Sequence, residues 1–137
     1  MIEVLNFICT LIIGFMIFFM IVVTPSVFQT LDEMNSRKFL RFIFPRMFFY
    51  GLALSSIALL LSILITDILI SGIMLIITLL FLINIYVITP RINLHRDQFT
   101  EGLTKSEKEF KRYHLISVAI FLFQLLCLIG VVLINYF

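Results

Sequence analysis

Four stretches, residues 4–23, 47–66, 68–89 and 114–136, run without a single Asp, Glu, Lys or Arg. A helix rises about 1.5 Å per residue and the hydrocarbon core of a bilayer is about 30 Å thick, so each stretch is long enough to cross it. With 62% hydrophobic and 13% charged residues, the chain of 137 holds more apolar side chain than a soluble domain of that size buries. The expected fold is therefore an all-α membrane protein, a four-transmembrane-helix bundle forming a single domain over residues 1–137. Its longer connections are residues 24–46 and 90–113. The first span follows Glu3 rather than a basic segment, and "VVTPSVF" offers no small-x-small cleavage site, so the span is expected to stay in the protein. Cys9 and Cys127 both fall inside spans and read as soft apolar filler.

Charge placement predicts orientation, because Lys and Arg gather on the cytoplasmic side of short loops. All ten basic residues lie in the two long connections, four in the first and six in the third, whereas the opposite side shows Glu3 and Asp67. Both long connections are expected in the cytoplasm and the N and C termini outside. The basic residues are interleaved with Asp32, Glu33, Asp97, Glu101, Glu107 and Glu109, which favours anionic lipid head groups over nucleic acid as their partner.

The connections differ in kind. Only Thr66 and Asp67 separate the second and third spans, so these helices form a tight hairpin, with Asp67 capping the third helix. In the first connection Ser36 is placed to cap a short helix whose Phe39, Leu40 and Ile43 dip into the membrane while Arg37, Lys38 and Arg41 stay wet. "TKSE" at residues 104–107 has the form of a capping box, and Gly102 before it suits a break.

An internal echo joins the two halves. "VVTPSVF" at residues 22–28 matches "VITPRIN" at 87–93, with the prolines 65 residues apart, and "FPRMFFYGLAL" from Phe44 matches "FKRYHLISVAI" from Phe110. The pattern predicts two helical hairpins arranged as a parallel repeat. In each half the proline marks a helix changing direction at the lipid surface. On the second span Gly51, Ser55, Ala58 and Ser62 fall on one face, a stripe of small residues that lets membrane helices approach closely. Asn6, Thr10 and Gly14 make a similar set on the first span.

The remaining polar residues outline a cytoplasm-facing vestibule. His114, Ser117 and Gln124 share a face of the fourth helix, the amide about 15 Å deeper than the imidazole. Asn84 lies at a depth comparable with Ser117. Asn93, Arg96 and Asp97 follow Pro90, and Arg46 and Arg112 stand where the even spans begin, with Tyr50 and Tyr86 nearby. Asn93, Arg96 and Asp97 are placed to pair with Arg46 or His114 across the repeat, and Asp97 is expected to bridge to an arginine of the other hairpin and close the cytoplasmic end. Interhelical hydrogen bonds and arginines snorkelling to head groups are the simpler use of the same residues. No acidic pair lies inside a span, and no Cys-x-x-Cys, glycine-rich phosphate loop or Ser/His/acid spacing occurs, so nothing points to catalysis.

"VTPSVFQTLD", "FLRFIFPRMFFYG", "TPRINLHRD" and "FKRYHLISV", in this order and covering nearly the whole chain, resemble the transmembrane-protein-205-like family. That family consists of small bacterial four-helix membrane domains with no assigned reaction. The resemblance implies a multi-pass protein of the bacterial inner membrane. It puts Pro25, Phe28, Phe44, Pro45, Arg46, Gly51, Pro90, Asn93, Arg96, Asp97, His114 and Ser117 at the family's motif positions. Phe121 departs from it, standing where the family leads one to expect asparagine, with Gln124 as the residue placed to replace that amide.

Two classes of function follow. The first is a non-enzymatic protein without a cofactor, handling a small polar or metal-containing solute through the vestibule, or serving as a scaffold in a homo-oligomer or beside another membrane protein. The alternative is a haem b-binding or redox protein on the plan of HemJ-type protoporphyrinogen oxidases or CopD-type copper proteins, with His114 as ligand.

Overall fold

A computed structural model of the chain describes residues 1–102 and 104–136, with Thr104 described by its backbone alone. Four long helices account for nearly all of it: α1 Ile2–Thr30, α2 Glu33–Ile65, α3 Ile68–Thr100 and α4 Lys105–Tyr136. Each is long and apolar enough to cross a membrane, and the protein is accordingly a multi-pass, all-helical membrane protein. At 29 to 33 residues the helices reach about 45–50 Å, well beyond a hydrocarbon core of about 30 Å. The surplus lies in the segments 24–46 and 90–113, which are helical almost throughout.

The helices continue through Thr24-Pro25 and Thr89-Pro90 rather than ending there. Proline has no amide hydrogen and crowds the carbonyl one turn earlier. Each helix accommodates this by widening into a π-helical turn just before the Thr-Pro pair, Phe19–Val23 in α1 and Asn84–Ile88 in α3. The amide of Thr24 reaches the carbonyl of Phe19, and that of Thr89 the carbonyl of Asn84, five residues back in both cases. The two turns are 65 residues apart, the spacing of the prolines, so the sequence echo is also a structural one.

Short corners join the helices. Leu31 and Asp32 separate α1 from α2, and Asp32 stands at the N-terminus of α2 with extended backbone. Ser36, expected to cap a short separate helix, lies one turn inside α2 instead. It is buried, and its hydroxyl donates to the carbonyls of Val27 at 3.3 Å and Leu31 at 3.2 Å. The amphipathic segment predicted there is therefore the first turns of α2, with Leu40 buried and Phe39 facing out. At the α3–α4 corner Ser106 makes the matching bond back to Gln98 Oε1, at 3.1 Å. Gly102 adopts φ +93°, a left-handed conformation open to glycine without steric cost, and breaks α3 from α4. The capping box expected at residues 104–107 lies outside the described residues at the Thr104 side chain. Between α2 and α3, Thr66 takes φ +61° and Asp67 Oδ1 accepts the amide of Ile70 at 2.9 Å, the cap expected from the sequence.

Consecutive helices are antiparallel neighbours, and α4 packs back against α1, so the four form a ring in which α1 and α3, or α2 and α4, make no close backbone approach. The core is the inner face of that ring. Leu5, Cys9, Ile12 and Met16 of α1 meet Phe48 and Ala58 of α2, Ile70, Met74, Ile77 and Phe81 of α3, and Leu125, Leu128 and Val131 of α4. Gly51, Ser55, Ala58 and Ser62 are all buried along α2. The Ser55 and Ser62 hydroxyls donate to carbonyls of their own helix, Leu52 and Leu59, and so demand nothing of the facing one. Gly51 lies so close to the Phe81 ring that a Cβ would overlap its Cε1 and Cζ atoms. On α1 only Asn6 of the expected polar set faces inward, its Oδ1 accepting from Asn135 Nδ2 at 2.6 Å. Thr10 and Gly14 face out, because the inner face of α1 is already taken by Leu5, Cys9, Ile12 and Met16.

Candidate functional site

The up-and-down order brings the end of α1, the start of α2, the end of α3 and the start of α4 to one pole of the bundle, and all ten basic residues with them. Just inside this pole is a cavity of about 260 Å³ to which every helix contributes. Helical periodicity explains the lining. Arg41, Phe44 and Phe48 share one face of α2, Thr89, Ile92, Asn93 and Arg96 one face of α3, and His114, Ser117, Val118, Phe121 and Leu122 one face of α4. Phe19, Met20 and Thr24, at the π-helical turn of α1, complete the wall. The cavity is thus divided. Arg41, Asn93, Arg96, His114 and Ser117 stand toward the basic pole, whereas Phe19, Phe44, Phe48, Phe121 and Leu122 make a deeper apolar part.

The polar rim has a definite bonding pattern. Asp97 meets an arginine of the other hairpin, but that arginine is Arg41 and not Arg46: Nη1 and Nη2 of Arg41 donate to the two carboxylate oxygens of Asp97 at 3.0 and 2.9 Å. This two-pronged bridge ties α2 to α3 over a groove that also holds Asp32, Arg37, Lys38 and Arg96. Arg96 belongs to both the groove and the cavity, and among the described residues it forms no ion pair. Its guanidinium lies 4.9 Å from the centre of the Phe110 ring, on which His114 stacks at 6.0 Å. Ser117 donates to Asn84 Oδ1 at 3.0 Å, joining α4 to the π-helical turn of α3. Asn84 is fully buried, and its Nδ2 has no partner among the described residues.

Other residues expected at the vestibule lie elsewhere. Arg46 is five residues, or about 140° of helical turn, from Arg41. It faces outward, its Nη1 donating to the Phe42 carbonyl at 3.0 Å and its guanidinium lying over the Phe42 ring. Arg112, Tyr50 and Tyr86 are also exposed on the outside. Gln124 is buried beyond the cavity, donating to the Ile77 carbonyl at 3.0 Å, so it does not stand in for the amide that Phe121 lacks. His95 stacks on Tyr113 away from the cavity, leaving His114 as the sole imidazole on its wall, and two histidines do not face each other across it. Among the described residues no group of three His, Cys, Asp or Glu is disposed to hold a metal ion. Arg41 is the site residue that the sequence reading left among the wetted charges of the first connection, outside the vestibule. Its spacing of three and seven from Phe44 and Phe48 is the signal that places it inward.

Besides its rim at the basic pole, where Arg41 and His114 are exposed, the cavity wall is exposed between α1 and α4. α1 packs against α4 only over Ile2–Phe18, while its continuation through the π-helical turn to Thr30 makes no close backbone approach to α4. The corresponding turn of α3, by contrast, contacts both α2 and α4. Met20 on one edge of the α1–α4 gap and Val118 and Leu122 on the other line the cavity, yet each is about 40% exposed.

No curated protein and no solved structure shows significant similarity to the chain. A family profile does, over residues 7–101, which take in α2 whole, most of α1 and all of α3. More than half of the chain is matched, and the protein belongs to the family described as "Domain of unknown function (DUF4149)".

Proposed function

We propose that the protein takes up a small anionic or polar solute in the vestibule at its basic pole, and that this pole faces the cytoplasm of a bacterial cell from the inner membrane. The observation that carries the reading is Arg96, a guanidinium with no ion pair among the described residues, on a mostly apolar cavity wall whose other arginine, Arg41, is bridged to Asp97. A cation in such surroundings attracts an anion more strongly than one in open water. Asn93, His114 and Ser117 beside it supply hydrogen-bonding groups that orient a bound solute. The gathering of basic residues at one pole supports the orientation, and the resemblance to bacterial four-helix membrane domains supports the location.

The test uses Ser117→Cys in a chain whose Cys9 and Cys127 are replaced by alanine, in sealed vesicles of known sidedness. Negatively and positively charged methanethiosulfonates that do not cross the bilayer report on access. The expected result is modification from the cytoplasmic face, faster with the anionic reagent, with that preference falling by roughly tenfold in Arg96→Gln. Reaction from the outer face alone would reverse the orientation. A thiol inert from both faces would rule out a vestibule.

A further inference from the structure

We infer that the occupant of the cavity is a long-chain fatty acid, admitted sideways from the bilayer between α1 and α4, with its carboxylate on Arg96 and its hydrocarbon chain among the phenylalanines. The inference rests on the preceding reading of the vestibule and gives its solute a chemical class.

Three features point to this occupant. The first is the distribution of polarity. Residues 114 and 117 of α4 are polar, while 118, 121 and 122, up to about two turns or 12 Å deeper, are hydrocarbon or aromatic, as are Phe19, Phe44 and Phe48 facing them. The polar head of a bound anion occupies only the rim, and an acyl chain attached to it covers the deeper wall as well. The second is charge. Arg41 is already neutralised by both oxygens of Asp97, so Arg96 is the rim guanidinium left to accept a carboxylate, through parallel N–H···O bonds. The third is access. α1 leaves α4 at its π-helical turn, and Met20, Val118 and Leu122 border the gap on the outer, apolar surface of the bundle, where chains of surrounding lipid lie. A cavity of about 260 Å³ takes the carboxylate and the first part of a single chain, the remainder lying in the gap between α1 and α4, and excludes a two-chain lipid taken in whole.

The experiment is photolabelling of the full chain in phosphatidylcholine nanodiscs with a diazirine-bearing palmitic acid, mapped by peptide mass spectrometry. Label is expected on the peptides holding Met20 and residues 118–122. Unlabelled palmitate should displace it and hexadecanol should not. In Arg96→Gln the labelling at fixed probe should drop by roughly tenfold, the loss expected when a charge-assisted hydrogen bond is removed, with Arg96→Lys intermediate. A melting curve establishes that the variants fold, and Val118→Trp, which fills the gap from the lipid side, provides a second route to the same loss. Label spread evenly over the outer helix faces, or displaced equally well by hexadecanol, overturns the inference. Displacement by phosphatidylglycerol in preference to palmitate overturns it in favour of a phospholipid chain. If Ser117→Cys is open to aqueous reagents while palmitate labelling is nonspecific, the vestibule stands and the fatty acid falls. If the thiol is inert and the labelling nonspecific, both fall.

Discussion

Arg41 and Asp97 form the most visible bridge in the protein, yet both side chains are about half exposed. Pairs of that kind are worth below about 1 kcal/mol, since water and salt screen the attraction and two flexible side chains must be held still. Asp97→Asn should therefore lower the melting temperature in detergent by a degree or two at low salt and by nothing measurable in half-molar salt. A large, salt-independent loss would mean that Asp97 does more than hold Arg41. The bridge was half legible in the sequence. That Asp97 would meet an arginine of the other hairpin followed from charge placement. Which arginine depended on the phase of α2: the sequence reading left Arg41 with the wetted residues and put Arg46 in the vestibule, whereas Arg41 meets Asp97 and Arg46 turns outward. Asn84 shows a similar limit: its depth was readable, but its bond to Ser117 depends on a widened turn that no local pattern announces.

At the scale of the helix, close contact between α2 and α3 depends on Gly51. Gly51→Ala places a methyl group against the fully buried Phe81 ring, and overpacking of this kind costs about 1–3 kcal/mol. Thermal unfolding in detergent should show the drop, and Phe81→Leu in the same chain should recover part of it. An unchanged melting temperature would mean that the helices slide apart at little cost. The small-residue face was plain from sequence because a period of 3.6 residues sorts Gly51, Ser55, Ala58 and Ser62 together whatever lies opposite. The span limits were not. Proline before a charged segment was read as the end of a helix, and chemically that is a fair expectation. A π-helical turn absorbs the missing hydrogen bond at each Thr-Pro pair, and the helix runs on for another turn or more past the proline, to Thr30 and Thr100. The family profile covers both of these turns. The α1–α4 gap follows from the first of them.

Over the whole molecule, each helix has two neighbours and the ring closes through α4 and α1, with Asn6 bonded to Asn135 at the pole opposite the basic one. Asp67, which turns α2 into α3, lies at that same pole. A closed ring of antiparallel helices has no intrinsic first member, so the order in which the helices are translated is separable from the structure they build. A circularly permuted chain that begins at Asp67, with a short flexible linker joining α4 to α1, keeps every helix contact described above. It should insert, fold and melt within a few degrees of the parent, as measured by fluorescence-detected chromatography and thermal unfolding. Failure of the permuted chain would show that α1 must enter the membrane before its partners. Success would mean that each hairpin inserts as a unit of its own, whichever of the two is made first.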